Sequence, residues 1–238
     1  MSTCLLIRHG QSRANVDGIL AGHVQSQLTD DGLNQAARLA EALAEVPISR
    51  IVTSPLDRCT ATAREIGARQ VPTPPIESEE QGVEVRYGGW TGRNLKDLAK
   101  DDLWKAVQAA PSTVTFPEDP SGGYAHESMS AMAERAWGAW QRWDQVVAET
   151  DGKSAVWALV SHGDVIKALL AQAMGLPLDS FQSIIIDPAS VSIIEAGHGR
   201  TGVRGMNLRD DLYRRLAAQP GDEEQDSAPI GVVGGGNA

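Results

Sequence analysis

Cys4-Leu5-Leu6-Ile7-Arg8-His9-Gly10 is the stretch that decides the fold. A short, uninterrupted apolar run that stops in Arg-His-Gly reads as a strand buried on both faces and leaving its sheet into a charged loop. The transition recurs at Ala155 to Val160, which ends in Ser161-His162-Gly163 and passes into a helix from about Asp164 to Met174, stopped by Gly175 and Pro177. Ile48 to Thr53 reads as a further strand. Ser54-Pro55 then opens a helix through Arg58, Cys59, Thr62, Ala63 and Ile66, proline being tolerated in a first helical turn. A helix also begins after Thr29, its predicted N-cap, with Asp30 and Asp31 at the positive end of the dipole. Leu33, Ala36, Ala37, Ala40 and Leu43 repeat along it, and Pro47 closes it. Ser183 to Ile186 and Val191 to Ile194 read as β segments of an edge hairpin around Asp187-Pro188-Ala189. Strands alternating with helices predict an α/β/α sandwich around a mostly parallel sheet with an antiparallel edge strand.

The chain has 238 residues, 21 Lys+Arg against 31 Asp+Glu and a formal net charge of −10. That length suits one large domain with a sizeable core, and the acidic balance tells against nucleic acid or an anionic membrane as partner. Two cysteines, Cys4 and Cys59, are too few for a disulfide framework and are expected as reduced thiols. No apolar run approaches the ~18 residues of a membrane span, and the N-terminal run of about four is too short for a signal peptide. These features predict a cytoplasmic protein.

The domain is expected over residues 1–218, with an inserted region at about 91–150. That region holds a helical stretch near Leu95 to Ala109, a Pro/Gly-rich loop from Pro111 to Gly123 and a long helix. Met129, Met132, Ala133, Ala136, Trp137, Trp140 and Trp143 form a helical stripe along the last of these, expected to pack on the sheet, though an aromatic face could also serve a homodimer. Residues 219–238 turn acidic and then glycine-rich and are expected to be a disordered tail. Its four carboxylates, Asp222, Glu223, Glu224 and Asp226, leave a net charge of −6 for the remainder.

Three strand-to-helix junctions carry Arg8-His9, Arg58 and His162. In open α/β sheets ligands bind beyond the carboxyl ends of the strands, where helix N-termini present amides and partial positive charge. Two arginines, two histidines and helix amides supply what a phosphoryl group needs: forked donors to its oxygens and charge to stabilise the transition state. A neutral imidazole can itself accept the phosphoryl group. A carboxyl whose pKa is raised by burial can protonate the leaving alkoxide, and Glu84 in a glycine-rich turn is the candidate.

Leu6-Ile7-Arg8-His9-Gly10-Gln11-Ser12-Arg13-Ala14-Asn15, Ser54-Pro55-Leu56-Asp57-Arg58, Glu84-Val85-Arg86-Tyr87-Gly88-Gly89-Trp90-Thr91-Gly92 and Ser161-His162-Gly163-Asp164 resemble the histidine phosphatase superfamily, that of phosphoglycerate mutases and related phosphatases. The similarity covers roughly residues 3–207 and implies a phosphoglycerate mutase-like fold. The resemblance implies that His9 is the phosphoryl-accepting nucleophile, that Arg8, Arg58 and His162 complete the phosphate pocket, and that Glu84 is the proton donor. Asn15, Gly22 and the Gly163 amide fall where the family contacts phosphate.

No metal or organic cofactor is expected, apart from 2,3-bisphosphoglycerate if the protein were a mutase. Departures from the mutase pattern favour a phosphatase acting on a small phosphorylated metabolite. Val85 stands in place of an arginine, Lys96 comes one place late, no double arginine with a proline triplet follows, and Asp164 stands in place of asparagine. A catalytically idle phosphate-ligand sensor or partner-binding protein is a further alternative, but its signature would be loss of pocket residues, and the pocket residues are present. A metal site at His9, Glu84, His162 and Asp164 is disfavoured because their spacing matches no ligand motif and the arginines would repel a divalent cation.

Overall fold

The computed structural model describes residues 2–197 and 199–209. In chain order these form β1 (Ser2–Arg8), α1 (Arg13–Val16), α2 (Asp30–Ala42), β2 (Ile48–Thr53), α3 (Asp57–Arg69), β3 (Ile76–Ser78), α4 (Leu95–Leu98), α5 (Asp102–Ala109), α6 (Met129–Thr150), β4 (Val156–Ser161), α7 (Gly163–Ala173), β5 (Val191–Gly197) and β6 (Arg200–Leu208). His198 and the predicted tail at 219–238 lie outside the described residues.

The strands make one sheet in the order β3-β2-β4-β1-β5-β6. Pairings among β1 to β4 are parallel, β5 runs antiparallel to β1, and β6 runs antiparallel to β5. The antiparallel pairing therefore sits at one margin, with β5 one place in and β6 outermost. Successive side chains of a strand point to opposite faces, and here they feed two cores. Cys4, Leu6, Val52, Trp157, Leu159 and Ile194 enter a larger core with α5, α6 and α7. Leu5, Ile7, Ile51, Ala158 and Val160 enter a smaller one under α2 and α3. The continuous apolar run of β1 thus serves both layers of a three-layer sandwich.

The α6 stripe packs inward as expected: Met129, Met132, Ala136 and Trp140 are buried, with Ala133, Trp137 and Trp143 half-buried against the same core. Thr29 caps α2 as predicted, its side chain accepting from the Gly32 amide. A Cβ on Gly10 would meet the Gly32 carbonyl oxygen at 2.5 Å, and one on Gly32 would meet that of Gln11 at 2.0 Å. The loop leaving β1 can press on the start of α2 only because both positions lack side chains.

Three expectations are corrected. Ser183 to Ile186 is not a strand: Leu178–Ser183 is a 3₁₀ turn, and the hairpin is β5 with β6. The Ile186 carbonyl accepts from Arg8 Nη1 at 2.7 Å, and the Ala189 amide donates to the Arg8 and His9 carbonyls at 3.1 Å each. The segment thus folds over the end of β1. The helix expected from Ser54-Pro55 begins instead at Asp57, with Leu56 as N-cap, so Ser54 stays in an extended segment. The helical stretch at Leu95 to Ala109 is two helices, because Asp101 caps a new one by accepting from the Leu103 amide at 3.0 Å.

Candidate active site

Five of the sequence-predicted residues meet at the carboxyl ends of the parallel strands. Arg8 ends β1 and His9 follows it, while Ser161 ends β4 and His162 is the N-cap of α7. Because β1 and β4 are neighbours, with Arg8 opposite Ser161, the two histidine rings lie 5.3 Å apart, edge to face. Arg58 enters from the first turn of α3. Glu84 arrives on the loop after the turn at Glu80–Gly82, and its Oε2 lies 3.9 Å from His162 Nδ1. Arg8, His9, Arg58, Glu84 and His162 are each at most 5% exposed.

Each side chain is held by a neighbour whose chemistry constrains it. His9 Nδ1 lies 2.7 Å from the Gly10 carbonyl oxygen; since a carbonyl only accepts, Nδ1 carries the proton and Nε2 the lone pair. His162 Nε2 is 2.8 Å from Ser54 Oγ. Arg58 donates to the Gly22 and Val24 carbonyls at 2.8 and 3.2 Å. Gly22 has φ +50°, and a Cβ there would meet the Tyr87 ring at 3.0 Å, so its role here is backbone shape. Asn15 Oδ1 accepts from the Ser12 amide and hydroxyl, both at 2.9 Å, in a capping box on α1. His9, Asn15, Gly22, Arg58 and Glu84 line one cavity, closed on its apolar side by Ile19, Leu20 and Leu95. Gly163 is the first residue of α7, where a helix amide has no partner within its own helix.

Burial controls the electrostatics. Desolvation, reinforced by Arg58 and Arg8, pushes His9 well below the usual imidazole range, and desolvation with Arg58 does the same to His162. Both rings are therefore neutral at pH 7. Desolvation, followed by the charge of Asp164, pushes Glu84 up to about 7 against the pull of Arg58 and Arg8. The cluster can thus present an imidazole lone pair, two guanidinium charges and a carboxyl that holds its proton near neutrality. Among the described residues, no group of three or more His, Cys, Asp or Glu side chains is arranged to hold a metal ion.

Ser54, Arg135 and Tyr87 support the site in ways the sequence alone does not reveal. Ser54 belongs to the Ser54-Pro55-Leu56-Asp57-Arg58 motif, but its bond to His162 spans 108 residues. Arg135 on α6 donates to the Glu84 carbonyl at 3.0 Å and pairs with Glu127 at 2.7 Å, clamping the Glu84 loop from behind. Its only signal was a charge at the border of the α6 stripe. His23 Nε2 lies 2.9 Å from the same carbonyl oxygen. Tyr87 donates to Asp164 Oδ2 at 2.7 Å, a contact that neither motif block reveals alone.

A sheet that gathers buried cations and imidazoles at the ends of its parallel strands defines an α/β protein built to receive an anion. The chain belongs to the histidine phosphatase superfamily (branch 1), whose family model matches residues 4–209. It is 27% identical over 213 residues to the adenosylcobalamin/alpha-ribazole phosphatase of Escherichia coli (strain K12), covering 86% of this chain and 95% of that one. It is 31% identical over 207 residues to the glucosyl-3-phosphoglycerate phosphatase of Mycolicibacterium vanbaalenii, covering 82% and 84%. Among solved structures it resembles Bacillus stearothermophilus YhfR, with a TM-score of 0.74 and 28% identity over 86% of this chain and 96% of that one. Membership and the phosphatase names of these relatives place it among the phosphoric monoester hydrolases. No helix among the described residues is long and apolar enough to cross a membrane.

Proposed function

We propose that the protein hydrolyses a small phosphate monoester through a phosphohistidine intermediate on His9, without metal or organic cofactor. The observation that carries this reading is the His9 tautomer: Nδ1–H is committed to the Gly10 carbonyl, which leaves Nε2 as the nucleophile in a ring kept neutral by burial.

In the first step His9 Nε2 attacks phosphorus, the ester P–O bond breaks, and the Glu84 carboxyl gives its proton to the departing alkoxide. Arg8, Arg58, His162, the Asn15 amide and the Gly163 N–H would hold the phosphoryl oxygens, and the two guanidiniums would stabilise charge as the loose transition state forms. In the second step the Glu84 carboxylate takes a proton from water as the water oxygen attacks the phosphohistidine. The N–P bond breaks, and inorganic phosphate leaves with Glu84 protonated again. A raised carboxyl pKa suits both steps, because the group must give a proton and recover it at one pH.

Val85, which stands where the mutase pattern has arginine, is buried in the apolar core and adds no cation to the pocket. That favours release of phosphate to water over transfer to a second substrate. The relatives are named as an adenosylcobalamin/alpha-ribazole phosphatase and a glucosyl-3-phosphoglycerate phosphatase, and we place the substrate of this chain in the same broad class of phosphorylated small metabolites. Brief incubation with a 32P-labelled monoester followed by alkaline quench is expected to trap label on His9. Turnover with no trapped label in wild type, or equal label in His9→Ala, would overturn the assignment.

A further inference from the structure

We propose that His23 is a positioning residue that sets the proton donor against the phosphate-binding charge: it ties the peptide that holds the Glu84 carboxyl to the turn that holds Arg58. The inference rests on Glu84 and Arg58 acting as described above and names the group that keeps them in register.

The tie runs through one peptide unit. The carbonyl of Glu84 and the amide of Val85 share a plane, because the peptide bond between them is planar. That amide donates to Glu84 Oε1 at 3.0 Å, so the orientation of the plane fixes where the carboxyl sits. The carbonyl of the same unit meets two donors, His23 Nε2 at 2.9 Å and Arg135 Nη2 at 3.0 Å. A carbonyl only accepts, so Nε2 of His23 carries a proton, and it keeps one when the ring is charged as well.

The two donors relate Glu84 to different parts of the molecule. Arg135 also donates to the Gln81 and Val83 carbonyls at 2.7 and 3.0 Å, and so places the Glu84 loop against α6. His23 places it against the phosphate pocket. The ring belongs to the turn from Ala21 to Val24, closed by the Val24 amide on the Ala21 carbonyl at 2.9 Å. The residues on either side of His23, Gly22 and Val24, are the two whose carbonyls accept from Arg58. With His23 in place, a shift of this turn therefore carries Arg58 and Glu84 together; without it, the guanidinium and the acid move apart. Gly22, Arg58 and Glu84 line the cavity, whereas the half-buried His23 ring lies outside that lining and acts through its neighbours. Phosphoryl transfer is sensitive to this register, because the acid must reach the departing oxygen while the guanidinium holds the phosphoryl oxygens.

The test compares kcat and KM for glycerol 2-phosphate, whose alkoxide needs an acid, with those for 4-nitrophenyl phosphate, whose leaving group does not. Inhibition by orthovanadate measures phosphoryl binding alongside. His23→Ala is expected to lower kcat about tenfold further on glycerol 2-phosphate than on 4-nitrophenyl phosphate, the worth of about one hydrogen bond, and to weaken orthovanadate inhibition. His23→Leu, which keeps apolar volume without a donor, takes its place should the alanine variant fail to fold. His23→Gln offers an amide N–H at a similar reach and should restore both properties. Equal losses on the two esters, unchanged orthovanadate inhibition, or a glutamine variant no better than alanine would overturn the proposal. Glu84→Gln on the same pair of esters separates the two readings. Equal losses in that variant remove Glu84 from the acid role, and the role of His23 falls with it; unequal losses there beside equal losses in His23→Ala remove the role of His23 alone.

Discussion

The two ends of the parallel sheet use the same residue types to opposite effect. Near the amino end of β2, Arg50 reaches Asp151 at 3.0 Å and also pairs with Glu77. Hydrogen bonds to these carboxylates push Arg50 up, and the bond from Arg50 pulls Asp151 down, so each partner is driven further into its charged form. At the carboxyl end burial is the largest influence, and Arg8, His9, Glu84 and His162 are all moved toward neutrality. Opposite charges that satisfy one another near the surface are fixed over the working pH range. Groups crowded together without full compensation are left close to a protonation change, which is what proton transfer requires.

The sharpest way to break this contrast is at His9. His9→Ala should lower kcat by roughly 10⁴-fold or more while leaving the circular dichroism spectrum and melting temperature close to wild type, since the ring contributes a nucleophile more than packing. Substantial residual turnover on steady-state assay would place the chemistry elsewhere. Glu84→Gln comes next. General-acid catalysis contributes about 10²- to 10⁴-fold, so the loss should fall in that range for alkyl phosphates and be much smaller for 4-nitrophenyl phosphate, whose leaving group departs without a proton. Equal losses on both would remove Glu84 from the acid role.

How much of this contrast was legible in the sequence differs from element to element. The strand ends were, because an apolar run that stops at a charged or polar residue is a local pattern, and Arg8, His9 and His162 follow from it; Arg58, inside α3, was legible only through the Ser54-Pro55-Leu56-Asp57-Arg58 motif. Glu84 was legible only as a carboxyl in a glycine-rich turn; its raised pKa comes first from burial and then from Asp164, 80 positions away in the chain. β3 escaped notice because it has three residues, with Ile76 40% exposed, and offers no period to read. Ser183 to Ile186 misled for the converse reason: isoleucines suit a strand, but the Ile186 carbonyl is committed to Arg8, a partner 178 residues distant. β6 alternates half-buried and exposed residues around its glycines, so its edge position was hidden by weak hydrophobicity.

The comparison also predicts opposite pH dependences of stability. Glu84 has a folded pKa raised from 4.5 to about 7. Its folded-state preference for the proton is fully available below the unfolded value and is lost as pH rises from there through the folded one. At pH 8 the fold therefore carries an ionised, buried carboxylate at a cost on the order of 3 kcal/mol. Glu84→Gln should be more stable than wild type at pH 8 by up to about that amount and indistinguishable at pH 4, as measured by urea denaturation. A constant difference at both pH values would show that the carboxyl is not under electrostatic strain.

The smallest effect belongs to the amino end. The folded-state pKa of Asp151 is held below its ordinary value, first by the hydrogen bond from Arg50. Its contribution to stability is therefore present above the unfolded pKa of about 3.8 and lost as pH falls from there through the depressed folded value. Because solvent reaches the pair, the contribution is less than about 1 kcal/mol, or a few degrees in melting temperature for a domain of this size. Arg50→Gln should lower the melting temperature by that margin at pH 7, converge with wild type as pH falls from the unfolded value of Asp151 through its depressed folded one, and leave kcat unchanged at every pH. A change in kcat would mean that charge at the amino end of the sheet reaches the strand ends, and the two regions could no longer be treated as electrically separate.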